Sequence, residues 1–278
     1  HVKWLLLALS FACLAGTAGC GSSEEVTADS FSTEEEVIPE EVEAEEPEEE
    51  EVEEVAPEGM YRSELTNEWI SEDLKDQRPI AVMVDNEKTA LPHYGLSQAD
   101  IVYEMMNSTQ NGQITRFMVL FKDYDSVSQI GSVRSVRPTN LMIAPEWNAI
   151  VCHDGGPFYI NTFLANDYVD HFSGTFSRVD NGKPREFTEY ILPGDMEDNF
   201  SNSSVDRNYN EYAPTEPHFE FASESNPVDL SGEAGSTACT LVDLPFPHNG
   251  SELNYDEASG TYLYSEYGSA HVDPGNNN

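Results

Sequence analysis

Apolar residues fall in short runs separated by polar turns. Pro79 to Asp85 (PIAVMVD) is a β-rich apolar run that opens on a proline, as a strand does when proline takes its first position. Ile114 to Lys122 (ITRFMVLFK) is apolar at most positions and predicts a strand buried on both faces. Ala99 to Met106 predicts a mixed strand and Asn148 to His153 another buried one. Pro138 to Trp147 has helical content with proline in the first turn, where its missing N–H is not needed. Gly155-Gly156-Pro157 opens a predicted helix through Phe163 and Asn166. Strands alternating with helices predict an α/β fold, mixed α+β, built on a main mixed sheet.

Beyond Phe172 the texture changes. Phe176 to Val179 followed by Asp180-Asn181-Gly182-Lys183 predicts a hairpin with an Asn-Gly turn. Asp195 to Phe200 predicts a short helix, and 202–226 is polar and loop-like. Ala238 to Leu244, Glu252 to Tyr255 and Thr261 to Ser265 predict strands, with a turn at Asp256 to Gly260. The expected organisation is a leader over 1–19, a polyacidic tether over 20–60, a main domain over 61–225 and a partial β-rich module over 226–278.

The N-terminal pattern is different in kind. Lys3 precedes the apolar run Trp4 to Ala15, which has the length of a signal peptide and is short for a membrane span. Thr17-Ala18-Gly19-Cys20 then resembles the bacterial lipobox, in which the cysteine is acylated. Cys20 is therefore the expected lipidation site, the bilayer an expected partner, and the outer face of the bacterial cytoplasmic membrane the expected location. The alternative is an ordinary cleaved signal with an incidental cysteine.

Charge adds the tether and excludes some partners. The chain has 278 residues and a formal net charge of -39. Residues 21–60 hold 18 of the 52 acidic residues and none of the 13 Lys and Arg. Such a segment repels itself and cannot bury enough apolar surface to offset its ordering entropy. From residue 61 onward 34 acids still face 12 bases, which excludes nucleic acid as a partner because binding there needs cationic contacts to phosphate.

Against that background the arginines stand out. Arg116, Arg134 and Arg137 fall in one stretch, the last two flanking Ser135 in IGSVRSVRP. Guanidinium groups bind carboxylate or phosphate in a fork, although pairing with the protein's own acids is the plainer alternative. His153-Asp154-Gly155-Gly156 sits where a predicted strand ends, the place where open α/β sheets receive ligands. Asp85 and Asn86 end another strand and Glu104 lies on a third. These eleven residues form the expected ligand site. Ser135 lacks an adjacent base for a nucleophile's role. No phosphate-binding glycine loop, hydrolase elbow or zinc spacing occurs, so no cofactor and no metal is expected. His93, His171, His218 and His248 stand isolated along the chain. Cys152 and Cys239 can pair in an exported protein, while the apolar strand around Cys152 equally suits a lone buried thiol.

The stretches RPIAVMVDN (78–86), GLSQADIVYE (95–104), ITRFMVLF (114–121), IGSVRSVRP (130–138) and HDGG (153–156) together resemble the YerB-like lipoproteins, a bacterial domain family of unknown function. Asp243 to Asp273, with NYDEASGTYL at its centre, is similar to that family's β-rich C-terminal module. The resemblance covers roughly two thirds of the chain. Two departures stand out. After FSRV the family usually shows Pro-His-Asn, where this chain has Lys183-Pro184-Arg185-Glu186-Phe187-Thr188, and its C-terminal module continues for several more strands, which implies a truncated sequence here. The resemblance and the residues together lead to a non-catalytic expectation: an anchored extracytoplasmic lipoprotein binding an anionic envelope ligand or a partner protein. The alternatives are an envelope-polymer hydrolase or transferase using Asp85, Glu104 or His153 as acid and base, and a pure scaffold.

Overall fold

The computed structural model describes residues 55–276, all within one compact unit. The predicted leader, Cys20 and the tether up to residue 54 lie outside the described residues. β1 (Met60–Arg62) and β2 (Trp69–Ser71) pair antiparallel. They are followed by β3 (Ile80–Asp85), β4 (Ile101–Met106), β5 (Thr115–Phe121), β6 (Ile130–Gly131), α1 (Pro138–Ile143), β7 (Ile150–His153), α2 (Asn161–Leu164) and β8 (His171–Ser173). Five of these strands make one mixed sheet in the order β4-β5-β3-β7-β8. The β4–β5 and β5–β3 pairs are antiparallel, and β3–β7 and β7–β8 are parallel. The mixed α+β expectation is met.

Every residue of β3 and β5 is buried, because side chains alternate across a sheet whose two faces are both covered. Ile80, Val82 and Val84 join Phe117, Val119 and Phe121 on one face. Ala81 and Met83 join Met118 and Leu120 on the other, beneath Leu141, Ala144, Trp147 and Ile160 from the helical connections. The first face is closed by Phe172, Phe176, Ile191 and Met196, with Phe200 and Tyr264 packed against them. No helix of the described residues is long and apolar enough to cross a membrane.

The helix predicted from Pro157 to Asn166 is broken up. A 3-10 turn over Phe158–Ile160 precedes α2, and the Asn166 amide then donates to the Phe163 carbonyl at 2.8 Å and closes the segment. The Asn-Gly hairpin is also corrected. β9 (Ser177–Arg178) pairs with β10 (Glu189–Ile191) so that Arg178 opposes Glu189, and residues 179–188 loop out between them. Lys183 Nζ holds this loop by donating to the carbonyls of Ala90 and Leu91 at 2.8 and 2.7 Å. The Asn181 amide ties it to the Phe187 carbonyl at 3.0 Å. These tertiary anchors override the local turn signal.

After α3 (Asp195–Ser201) and a long irregular stretch, β11 (Leu241–Asp243), β12 (Glu252–Asp256), β13 (Thr261–Glu266) and β14 (Ser269–Ala270) form an antiparallel meander. Sequence patterning missed β14. Its signal is Tyr267-Gly268, both at positive φ (50° and 73°), the two-residue turn whose twist suits a tight hairpin. Cys152 is buried and Cys239 exposed, both as free thiols, so the lone-thiol alternative holds. Burial pushes the Cys152 thiol far up.

Candidate functional site

β3 and β7 run in parallel register only over Ile80–Val82 and Ile150–Cys152. Beyond that the strands part, and residues 132–136 pass between them. Asp85 N donates to the Ser132 carbonyl (3.1 Å) and Arg134 N to that of Met83 (2.8 Å). On the other side Asp154 N donates to the Arg134 carbonyl (3.0 Å) and Val136 N to that of Gly155 (3.1 Å). The crevice in which an open α/β sheet receives a ligand is thus filled by the protein's own backbone. Gly156 permits the approach, since a Cβ there would stand 3.0 Å from the Val136 carbonyl and 2.3 Å from Ile160 Cδ1.

The filling segment carries Arg134 to the rim, near Arg116 of β5 and with Arg137 just after it, and acids of the protein meet two of the three. Asp85, buried at the end of β3, accepts from Arg134 Nε at 2.7 Å and Arg116 Nη2 at 3.2 Å. Arg116 also donates to the Ser135 carbonyl at 2.6 Å. Burial lowers Arg116 to about 10 against the pull of Asp85. Arg134 reaches on to Glu186 at 3.4 Å and lies over the Phe187 ring. Arg137 donates only to backbone, to the Val136 carbonyl at 3.0 Å, and forms no ion pair among the described residues. Its own N–H is taken by the Asn140 side chain, which starts α1. Ser135 acts through its carbonyl.

His153 is tied at both ring nitrogens. Nδ1–H donates to the Gly155 carbonyl at 2.8 Å, and Nε2 faces His171 Nδ1 at 3.1 Å. Burial, with His171 adding to it, drops its pKa to about 4. The next residue, Asp154, pairs with Arg178 at 3.0 Å, and Arg178 also bonds Glu189. Burial pushes Glu189 to about 7, and the neighbouring Asp154 adds to the rise. Burial works to raise Asp154 as well, but its hydrogen bonds with Glu189 and Arg178 outweigh that and hold it below the ordinary range. Beside this cluster opens a cavity of about 460 Å³ lined by Asp154, Arg178, Pro184, Arg185 and Glu186. Arg185 is exposed and forms no ion pair among the described residues.

Asn86 and Glu104 go elsewhere. Glu104 Oε1 accepts from the hydroxyls of Thr115 and Ser251, both at 2.7 Å, and Oε2 from Tyr264 at 3.1 Å. The Asn86 amide donates to Thr115 Oγ1 at 2.8 Å, and its carbonyl accepts from Asn249 (2.9 Å) and Tyr267 (2.8 Å). Both residues therefore belong to the junction with the β11–β14 sheet. The eleven predicted positions divide between the strand-end rim and this junction.

A family model described as "Protein of unknown function (DUF3048) N-terminal domain" matches residues 65–209. The chain belongs to that family. That span takes in the mixed sheet, the filling segment 132–136 and both arginine clusters. A similar curated protein is "Putative lipoprotein YerB" of Bacillus subtilis (strain 168), 27% identical over 219 residues, which are 74% of this chain and 60% of that protein. The chain thus spans about 60% of the length of the curated relative it matches. The crystal structure of YerB protein from Bacillus subtilis superposes with a TM-score of 0.62 at 24% identity, over 78% of this chain and 71% of that one. This likeness supports the fold.

Sequence reasoning missed several DUF3048 residues that the geometry brings forward. Arg178 falls in FSRV and Arg185 in the segment Lys183 to Thr188, neither with a role assigned, and Glu189 lies just beyond; only the scarcity of bases in the body marks the two arginines. Arg78 was quoted as part of a motif without a role. It is fully buried, donating to Asp170 at 2.6 Å and to the Asn148 carbonyl at 2.7 Å. His93 is isolated in sequence only: its ring lies 2.8 Å from that of His271.

Proposed function

We propose that this chain is a membrane-anchored extracytoplasmic lipoprotein that binds an anionic envelope ligand at the rim of the parallel strands. The anchor rests on the lipobox-like Thr17-Ala18-Gly19-Cys20 and on the word lipoprotein in the name of the Bacillus subtilis relative. The ligand reading rests on one observation: Arg185, which forms no ion pair among the described residues, lines an open cavity beside Arg178, while the cavity's two acids, Asp154 and Glu186, are engaged by Arg178 and Arg134. In a body where acids outnumber bases nearly three to one, a guanidinium at a cavity wall without an acidic partner is the exception. Arg116 and Arg134 share Asp85, Arg134 also meets Glu186, and both act as supports. His153 is buried and bonded at both nitrogens, and Glu189 is buried behind Arg178, so these groups prop the cavity wall.

The test uses soluble poly(glycerol phosphate) as probe. Binding is expected at low salt, weaker at high salt, and about tenfold or more weaker in Arg185→Glu. Equal binding by wild type and R185E defeats the ligand site. For the anchor, Cys20→Ala is expected to move the protein from the membrane to the soluble fraction, and retention at the membrane defeats it.

A further inference from the structure

We propose that His93, Glu266 and His271 form a binding site for one divalent transition-metal ion of the zinc class, joining the β11–β14 sheet to the main sheet. One ring nitrogen of each histidine and a Glu266 carboxylate oxygen all lie within 4.8 Å of one another. His93 Nδ1 stands 2.8 Å from His271 Nε2 and 3.8 Å from Glu266 Oε1. Around a tetrahedral ion with bonds of about 2.0 Å, ligand atoms sit roughly 3.3 Å apart. The observed separations bracket that value, so small ring and carboxylate shifts complete the set.

The second, independent observation is the carboxylate itself. Glu266 is 2% exposed, and its Oε1 has no hydrogen-bond partner. A buried carboxylate oxygen without a donor is costly, and a cation in front of it removes the cost. Its other oxygen faces the Asn249 amide at 3.5 Å, which leaves Oε1 toward the histidines.

The surroundings match what such ions require. His93 Nε2–H donates to the Asp85 carbonyl at 2.7 Å, which fixes its tautomer and leaves Nδ1 bare. That outer bond to a backbone carbonyl is how metal-binding imidazoles are usually oriented. Without an ion His271 Nε2–H donates to His93 Nδ1, and moving that proton to Nδ1 of His271 frees Nε2 as the second nitrogen ligand. His93 is fully buried, while His271 also lines a cavity of about 940 Å³ between the two sheets, which provides a path of entry. Two imidazoles and one carboxylate suit Zn²⁺ better than the hard cations, which take all-oxygen sets.

The experiment titrates the full chain with Zn²⁺ by calorimetry, with Glu266→Gln and His271→Ala as variants. Wild type is expected to bind one tight equivalent and to melt at a higher temperature with Zn²⁺ than with chelator. Each variant is expected to lose at least about 100-fold in affinity for that equivalent. The acidic segment 21–60 can take up Zn²⁺ weakly, so uptake that E266Q and H271A leave unchanged overturns the proposal. If the variants misfold, Co²⁺ added to wild type decides: the visible absorption of a four-coordinate ion supports the site, and the pale spectrum of hydrated Co²⁺ overturns it.

Discussion

Two histidine pairs flank the main sheet, one on β7 and β8 and one in the connections at its junction with the β11–β14 sheet, and the difference between them shows what separates a support from a site. His153 faces His171 at 3.1 Å, and His93 faces His271 at 2.8 Å. In each, a backbone carbonyl pins one nitrogen of the buried ring and turns the other toward a second imidazole. In each, burial and the neighbouring ring drop the buried histidine well below its ordinary range, to about 4 and about 3. Around His153 the polar groups satisfy one another: Arg178 takes Asp154 and Glu189, and Ser173 accepts from Gly155 N. Beside His93 a buried carboxylate oxygen is left over. The pair alone says little, and the unspent acceptor is what points to a ligand.

The comparison is sharpened most by Asp85, whose carboxylate serves the strand-end region while its carbonyl serves the junction. Asp85→Ala leaves Arg116 buried without its acid, and the expected loss is about 3–5 kcal/mol in denaturant unfolding. A loss under about 1 kcal/mol would show that the rim is not held by this ion pair.

The next largest effect is a pH dependence. His153 is held near 4 when folded and returns to about 6.5 when unfolded. Below 6.5 the unfolded chain takes a proton that the folded chain refuses, so stability falls as pH drops from about 6.5 to about 4. His153→Asn is expected to remove up to roughly 3 kcal/mol of that fall. Parallel pH profiles for variant and wild type, measured by thermal melts, would break the account of His153 as a buried neutral ring.

At the junction, Glu104→Ala strips the acceptor from the hydroxyls of Thr115, Ser251 and Tyr264. About 2 kcal/mol is expected to be lost. Amide exchange should speed up in β12 and β13 and stay unchanged in β3, and uniform acceleration would contradict a separable junction. The smallest effect is that of Lys183→Met, which frees the 179–188 loop from the carbonyls of Ala90 and Leu91 at a cost of about 1 kcal/mol, with faster proteolysis confined to that loop.

The main sheet was legible because its strands announce themselves. PIAVMVD and ITRFMVLF are apolar at nearly every position, and only a strand covered on both faces asks for that. What was not legible depended on long-range contacts. Asn181-Gly182 reads as a tight turn until Lys183 is found reaching a loop near residue 90. The rim was half visible: patterning placed Asp85, Arg134 and His153 at strand ends, but not that residues 132–136 would fill the gap between them. Arg178 and Glu189, on strands too short to show a period, gave no signal. The His93 cluster was hidden because His93 stands 178 residues from His271 along the chain.

That separation also orders events in time. The carbonyl of Asn86, the ring of His93 and the carboxylate of Glu104 are made early, yet they meet Asn249, Ser251, Tyr264, Tyr267 and His271 only when the last part of the chain has emerged. Until then water must serve these groups, and Phe117 lacks the Tyr264 ring that packs edge-on against it. Contacts of this span are the slowest to close, because the entropy of the long intervening loop comes before any reward. The arrival of β12 and β13 therefore acts as the finishing stroke of folding, and a chain caught before it presents a wet, half-covered sheet to every protease it meets.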